Sequence, residues 1–293
     1  MAEKTATMTF ESVMSDLKAG NYAPSYLLMG EEAYYIDQIA DFIAEHAIKP
    51  EERDFNQQIV FGADVTGAQV ADMARSYPVM AERQVIIVKE AQNIKNWDQL
   101  ERYLEKPAKT TVLVVCYKNG TIDGRKKILT RFKNAGVVFE SKKKRDYELP
   151  PFIEAYLKKR TKVTIENKAA QMLADHIGAD LSRLTGEIDK LLLSLEEGDT
   201  RITPQMVEKR IGISKDFNAF ELRSAIAAKD VVKANLILKY FDSNPKTGGA
   251  FALIPVIFSY FQNLMLAYYA PNRQNDAEVA RWLDLRGPWA AKE

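Results

Sequence analysis

The sequence predicts an α/β domain with a parallel sheet, followed by all-α regions. Three observations carry this. Short β-rich runs alternate with amphipathic stretches over residues 9–139, the runs QVIIV and TVLVVC are apolar throughout, and the strand signal stops after Glu140. Strands spaced by helices favour a parallel sheet covered on both faces, and a strand buried on both sides reads as an unbroken apolar run.

The predicted strands are YLLM (26–29), FNQQIVF (55–61), QVIIV (84–88), TVLVVC (111–116) and VVFE (137–140). Between them, EAYYIDQIADFIAEHAI and GAQVADMARSY are helical by their apolar spacing. SKKKRDYELPP (141–151) joins a charge run to two prolines and reads as a linker. From there to about residue 212 the pattern is helical. DLSRLTGEIDKLLLSL (180–195) puts Leu181, Leu184, Ile188, Leu191, Leu192 and Leu195 on one face, with Asp180 as its cap. ITPQMVEKRIG follows, with Thr203 as cap, Pro204 at the first helical position and Gly212 as a stop. The third region carries FNAFELRSAIAAKD, VVKANLILKYF, an apolar segment at 250–270 and AEVARWLDL, with SNPKTGG (243–249) as a flexible connection. The expected organisation is an α/β domain over 1–140, a small helical domain over 141–212 and a helical bundle over 213–293.

Bulk properties narrow the function. Lys plus Arg at 41 against Asp plus Glu at 40 gives a net charge of +1, so any nucleic-acid contact has to come from a local patch. Residues 141–162 hold eight Lys or Arg and three acidic residues, which makes Lys142, Lys143, Lys144 and Arg145 candidate weak DNA contacts, although such a run is more often a solvated linker. Cys116 is the lone cysteine, which rules out an intrachain disulfide and fits a reducing cytoplasm. MAEKTATMTF lacks an apolar signal core and reads as a short lead-in. The segment AFALIPVIFSYFQNLMLAYYA has the length of a membrane span, but Pro255, Ser259, Gln262 and Asn263 interrupt it, so a buried bundle helix is expected. His46 and His176 lack ligand-spaced neighbours, so no metal site and no cofactor are expected.

YLLMGEEAYYIDQI (26–39) reads as strand, glycine turn and helix, the setting of a phosphate-binding loop. Such a loop points backbone N–H groups and a helix N-terminus at the anion, adds a Lys for the outer phosphates and a hydroxyl for magnesium. Here Gly30 is followed by Glu31 and Glu32, with no second glycine, Lys or hydroxyl behind them. Two carboxylates suit the positive helix end and repel a triphosphate. The strand QVIIV ends in Lys89-Glu90, where a nucleotide hydrolase carries Asp-Glu, and a lysine cannot ligate magnesium. Both defects describe a nucleotide-hydrolase scaffold whose chemistry has gone. The alternative, an active NTPase with a divergent phosphate loop, is disfavoured by Gly30–Ile36 and Lys89.

The chain resembles the delta subunit of the bacterial DNA polymerase III clamp loader. The likeness rests on YLLMGEEAYYIDQI, FNQQIVFGADV, ARSYPVMAERQVIIVKEAQ, KKKRDYELPPFI, ADLSRLTGEIDKLLLSL and ITPQMVEKRIGISKDFNAFELRSAIAAKD, and most specifically on the order and spacing of the last two. The resemblance implies a degenerate AAA+ domain that does not use ATP, a helical lid and a C-terminal helical collar. It also implies a subunit of the polymerase holoenzyme that binds the beta sliding clamp and opens its ring. Its partners would be the delta prime and tau/gamma subunits, met through the collar, and primer-template DNA within the assembled complex at the replication fork. Family members continue with further helices after WLDLRGPWAAKE, so the collar is expected to be truncated here.

In this family the clamp-binding element is an apolar tip between a helix and the next strand. SYPVMAERQ (76–84) matches it, with Tyr77, Pro78, Val79 and Met80 as the wedge and Val79 and Met80 at the principal positions. Pro78 is expected to end the preceding helix at Tyr77. The apolar pattern alone leaves Val79 and Met80 equally assignable to the domain's own core or to a partner.

Overall fold

The computed structural model describes residues 8–196, 198–211, 217–243, 249–285 and 291. The lead-in before Met8, Gly212 and the connection at 244–248 lie outside them. The chain divides into two compact units, Met1–Lys143 and Lys144–Glu293.

The first unit opens with α1 (Phe10–Lys18), capped by Thr9, and then alternates strands and helices. In chain order these are β1 (Ser25–Gly30), α2 (Ala33–His46), α3 (Arg53–Asn56), β2 (Gln57–Phe61), α4 (Gly67–Arg75), β3 (Gln84–Lys89), α5 (Asp98–Tyr103), β4 (Thr111–Lys118), α6 (Lys127–Ala135) and β5 (Val137–Ser141). The five strands form one parallel sheet in the order β2-β3-β4-β1-β5. β1, β3 and β4 are central, and their alternate side chains enter two separate cores. Leu27, Ile86, Val88, Leu113 and Val115 pack with Val70, Leu100 and Phe132 on one face. Tyr26, Leu28, Val85, Ile87 and Val114 pack with Leu17, Ile36, Ile39 and Ile43 on the other. The all-apolar character of QVIIV and TVLVVC follows from this two-sided burial. Cys116 lies in the second core at 0% exposure, and burial, with Asp37 nearby, pushes its thiol up to about 12.

Two expectations for this unit need correction. Phe55 and Asn56 belong to a helical turn, so the second strand starts at Gln57. The helix before the tip stops at Arg75 with Ser76 already extended, two residues short of Tyr77, because the Gln84 side chain takes over the carbonyls of Met73 and Ser76.

The second unit begins inside the expected linker. Pro150 and Pro151 lie in the first turn of α7 (Leu149–Arg160), where missing N–H donors cost little. Next come β6 (Thr164–Ile165), α8 (Asn167–Ile177), α9 (Leu181–Leu193), β7 (Arg201–Ile202) and α10 (Pro204–Ile211). β6 and β7 form a two-residue parallel ladder in a stretch expected to be helical throughout. Asp180 caps α9, its side chain accepting from Arg183 N at 3.0 Å, and Leu181, Leu184, Ile188 and Leu191 are buried as expected. Leu192 is only partly buried and Leu195 falls beyond the helix.

The unit ends with α11 (Ala219–Ala227), α12 (Val231–Ser243), α13 (Gly249–Tyr268) and α14 (Asp276–Trp282). α13 overturns the expectation of a buried helix. It packs through Leu253 and Ile257 against Leu222, Ala225, Ile237 and Phe241. Most of its other apolar side chains face outward, with Phe251 88% and Phe258 65% exposed. Among the described residues it is the helix long and apolar enough to cross a membrane by length and composition.

Asp175 on α8 is a mostly enclosed carboxyl that accepts from Gln171 Nε2 at 2.7 Å. Burial pushes its pKa up to about 8, outweighing the opposing effects of Gln171 and Arg223, while Asp146 adds to the rise. A folded-state pKa above the unfolded value means stability is fully present at low pH and falls as pH rises through the window from about 4 to 8. Asp175→Asn is therefore expected to match wild type in urea unfolding near pH 4. By pH 8 it should be more stable, by about 1–2 kcal/mol.

Candidate functional site

The carboxyl ends of parallel strands are where open α/β sheets hold ligands. In this sheet that end is closed. Only Glu31 and Glu32 separate β1 from α2, whereas a phosphate loop places about five residues between its first glycine and its lysine. Gly30 has φ +134°, and a Cβ there would lie 2.0 Å from the Ser141 carbonyl oxygen, so only glycine fits. Ser141 Oγ donates to the Glu32 carbonyl at 2.8 Å, and Glu31 N–H donates to the Ser141 carbonyl at 3.2 Å. Gly30 and Gly120 exchange backbone bonds of 2.8 and 3.3 Å across the same end. Glu32, 6% exposed, is the cap of α2, its Oε1 accepting from Tyr34 N–H at 3.0 Å. A donor that a phosphate would use is already taken by the protein's own carboxylate.

Beside this turn lies an ion cluster that spacing in the sequence does not reveal. Lys118, the last residue of β4, sits 2.7 Å from Asp37 and 3.6 Å from Glu90. Lys89, the last residue of β3, sits 3.6 Å from Asp41, one turn further along α2. Gln92 accepts from Lys118 N–H at 3.2 Å and donates to Glu90. Burial alone would pull the Lys118 pKa down, but the hydrogen bond and charge of Asp37, with Glu90, raise it above the ordinary value. The lysine is thus held charged. Glu90, at φ +51°, is turned into this network. Lysine–carboxylate pairs therefore tie α2 to β3 and β4 at this end of the sheet.

The α4–β3 connection lies at the opposite, amino end of the sheet. Tyr77, Val79 and Met80 are 85%, 55% and 99% exposed, and Pro78 is half-buried. Val79 and Met80 therefore face outward rather than into the domain's own core. Met80 has φ +52°, uncommon for a side chain other than glycine, asparagine or aspartate. A cavity of about 650 Å³ also opens at this end, bordered by Asp16, Tyr22, Glu82, Arg83 and Lys109.

The basic run is partly engaged. Lys142 and Lys143, at the end of the first unit, are exposed. In the second unit Lys144 lies 5.8 Å from the Phe152 ring centre, and Arg145 pairs with Asp284 and contacts the Tyr147 hydroxyl at 3.3 Å.

These features define a protein class: a parallel α/β domain, closed at the carboxyl end of its sheet and bearing an apolar tip at the amino end, joined to a largely helical unit. Residues 26–142 match the family model described as DNA polymerase III, delta subunit. A Bacillus subtilis (strain 168) protein, DNA polymerase III subunit delta, is 27% identical over 285 residues, covering 93% of this chain and 80% of that protein. The solved structure of the Bacillus subtilis DNA clamp loader delta protein aligns with TM-score 0.61 and 25% identity, over 97% of this chain and 86% of that one. A Thermotoga maritima RuvB structure, titled a Holliday junction branch migration motor, aligns with TM-score 0.41 and 19% identity over 74% of this chain and 73% of that one. Over most of its length the chain is thus similar to the delta subunit of the DNA polymerase III clamp loader, and its first unit matches that family's model.

Replacing Lys118 by Met leaves Asp37 and Glu90 without their shared cation. We expect a stability loss of about 1–3 kcal/mol by denaturant titration at neutral pH. The two further single variants Asp37→Asn and Glu90→Gln should each cost less.

Proposed function

We propose that this chain acts as a clamp-loader delta subunit, which binds the beta sliding clamp through Tyr77, Pro78, Val79 and Met80 and opens its ring for loading onto primed DNA, without hydrolysing ATP. The observation that carries this reading is the pairing of an outward apolar tip with a nucleotide end filled by the protein's own charges. Exposed methionine and aromatic side chains are effective anchors for a partner's pocket, because burying them releases apolar surface at little cost in polar desolvation. Ring opening then needs only that the tip bind the open clamp better than the closed one; a few kcal/mol of preference shifts a marginal interface. The rigid sheet behind the tip lets that preference act as force on the ring rather than be absorbed by the domain.

In this reading Gly30, Glu31, Glu32, Lys89 and Glu90 keep a scaffold's shape and hold no nucleotide. The outward face of α13 supports assembly with delta prime and tau/gamma subunits through the collar, since an apolar surface of that extent is characteristic of an interface. Lys142, Lys143, Lys144 and Arg145 add a weak, salt-sensitive contact to primer-template DNA once the complex is assembled. The protein works in the cytoplasm, at the replication fork.

A Val79→Asp, Met80→Asp double variant should bind the beta clamp roughly 100-fold more weakly with an unchanged melting temperature, because both positions are exposed in the free chain. Unchanged clamp affinity would remove the site assignment. Isothermal titration with magnesium-ATP should give no saturable heat, and tight binding would favour the active-NTPase alternative.

A further inference from the structure

The tip is held by a side chain that none of the clamp-contacting residues supplies. Asn56 ends α3, directly before β2, and is only 3% exposed. Its Oδ1 accepts from Val79 N–H at 2.6 Å, and its Nδ2 donates to the Val79 carbonyl at 3.0 Å. One buried amide therefore satisfies both backbone groups of a residue 23 positions away, as a neighbouring strand would. Its third bond, Nδ2 to the Glu52 carbonyl at 2.9 Å, fixes the amide to its own helical turn. The entry to the tip is held separately. Gln84 Nε2 donates to the Met73 and Ser76 carbonyls and to Thr111 Oγ1, and Thr111 Oγ1 donates to the Ala74 carbonyl at 2.9 Å.

We infer that Asn56 is a positioning residue that locks Val79 so that Met80 is presented in its binding conformation before any partner arrives. Two observations beyond the hydrogen bonds support this. Met80 follows the locked residue directly, occupies the left-handed region at φ +52° and is 99% exposed. A strained backbone of that kind persists only where its surroundings over-determine it, and nothing on the solvent side of Met80 does so. Capping α3 does not account for the geometry either. The Glu52 bond is local, whereas the two bonds to Val79 serve only the tip.

The inference rests on the reading of Tyr77–Met80 as the clamp contact, and it makes a kinetic claim separable from that reading. If Asn56 sets the population of the competent tip, removing its amide scales the apparent affinity down in proportion to the competent fraction that remains. Asn56→Leu, close to isosteric, is expected to lower the association rate for the beta clamp roughly tenfold, with the dissociation rate within about twofold of wild type. Met80→Ala should do the reverse, raising the dissociation rate. Hydrogen exchange followed by NMR on the full chain adds a readout that loss of a contact would not move. The Val79 amide should be protected in wild type and exchange freely in Asn56→Leu, while the core strands stay protected.

A folded Asn56→Leu chain with an unchanged association rate overturns the proposal. So does a wild-type Val79 amide that exchanges like a free loop amide, a measurement that needs no variant to fold. If Met80→Asp binds the clamp as wild type does, the clamp-contact reading itself fails and the proposal falls with it, whatever the exchange at Val79.

Discussion

The structure of the first unit depends on the contact between Gly30 and Ser141, where β1 and β5 end side by side. The Ser141 carbonyl occupies the space of a side chain at position 30, and its hydroxyl and carbonyl fasten the two residues after it. The turn into α2 is thereby compressed to Glu31 and Glu32. Once the helix starts so close to the strand, its first free N–H groups point at the protein's own Glu32 rather than into an open cradle. Everything else at that end follows from the shortened turn. α2 is brought low enough over the sheet for Asp37 and Asp41 to reach Lys118 and Lys89 at the ends of β4 and β3. Closure and charge cluster are consequences of one steric choice.

A parallel sheet separates its two ends by the full length of its strands, so what happens at one need not disturb the other. Gly30, Glu90 and Lys118 lie at carboxyl ends, while Ser76–Arg83 precedes the amino end of β3. A scaffold of this kind can be closed at the first end without altering the presentation of a tip at the second. The rigidity of the tip comes from β3 and its neighbours. Gln84 opens β3, Thr111 opens β4, and Asn56 immediately precedes β2, so three adjacent strand starts supply the three side chains that hold the connection. Buried amides suit this task because each offers a donor and an acceptor, matching the two faces of a peptide group, and leaving either unpaired is costly.

Most of the fold was legible because its strands are central. QVIIV and TVLVVC are apolar throughout only because both faces are covered, and that pattern survives without any knowledge of neighbours. β2 was misread at its start because an edge strand lacks this signature, and Phe55 has the same apolar character whether it begins a strand or projects from a turn. β6 and β7 were invisible, since two residues carry no period. At the sites, Pro78 marked the connection between α4 and β3 although the helix ends earlier than it implied, and the Gly30-Glu-Glu stretch marked the short turn between β1 and α2. The groups that complete each site were not legible. Lys118 meets Asp37 across 81 positions and Asn56 meets Val79 across 23, and no local pattern encodes such a pairing.

α13 shows where hydrophobic pattern stops distinguishing core from interface. Its apolar residues run around the helix, and α11 and α12 cover only the stripe through Leu253 and Ile257. Phe251, Ile254, Phe258, Phe261, Leu264 and Met265 are left uncovered. Burying one such side chain contributes about 1.5–3 kcal/mol, so a partner covering half of them gains about 4.5–9 kcal/mol, comparable with the stability of a marginally stable domain. Gln262 and Asn263 are exposed on the same helix and retain full hydrogen-bonding demand. Lipid offers those amides nothing to bond, whereas another protein's polar groups do. Pro255 lies within the helix and removes one further donor. The combination of a broad apolar face and amides that need partners fits a protein neighbour better than a bilayer, and it explains why a helix read from its composition as a core element stands open in the isolated chain.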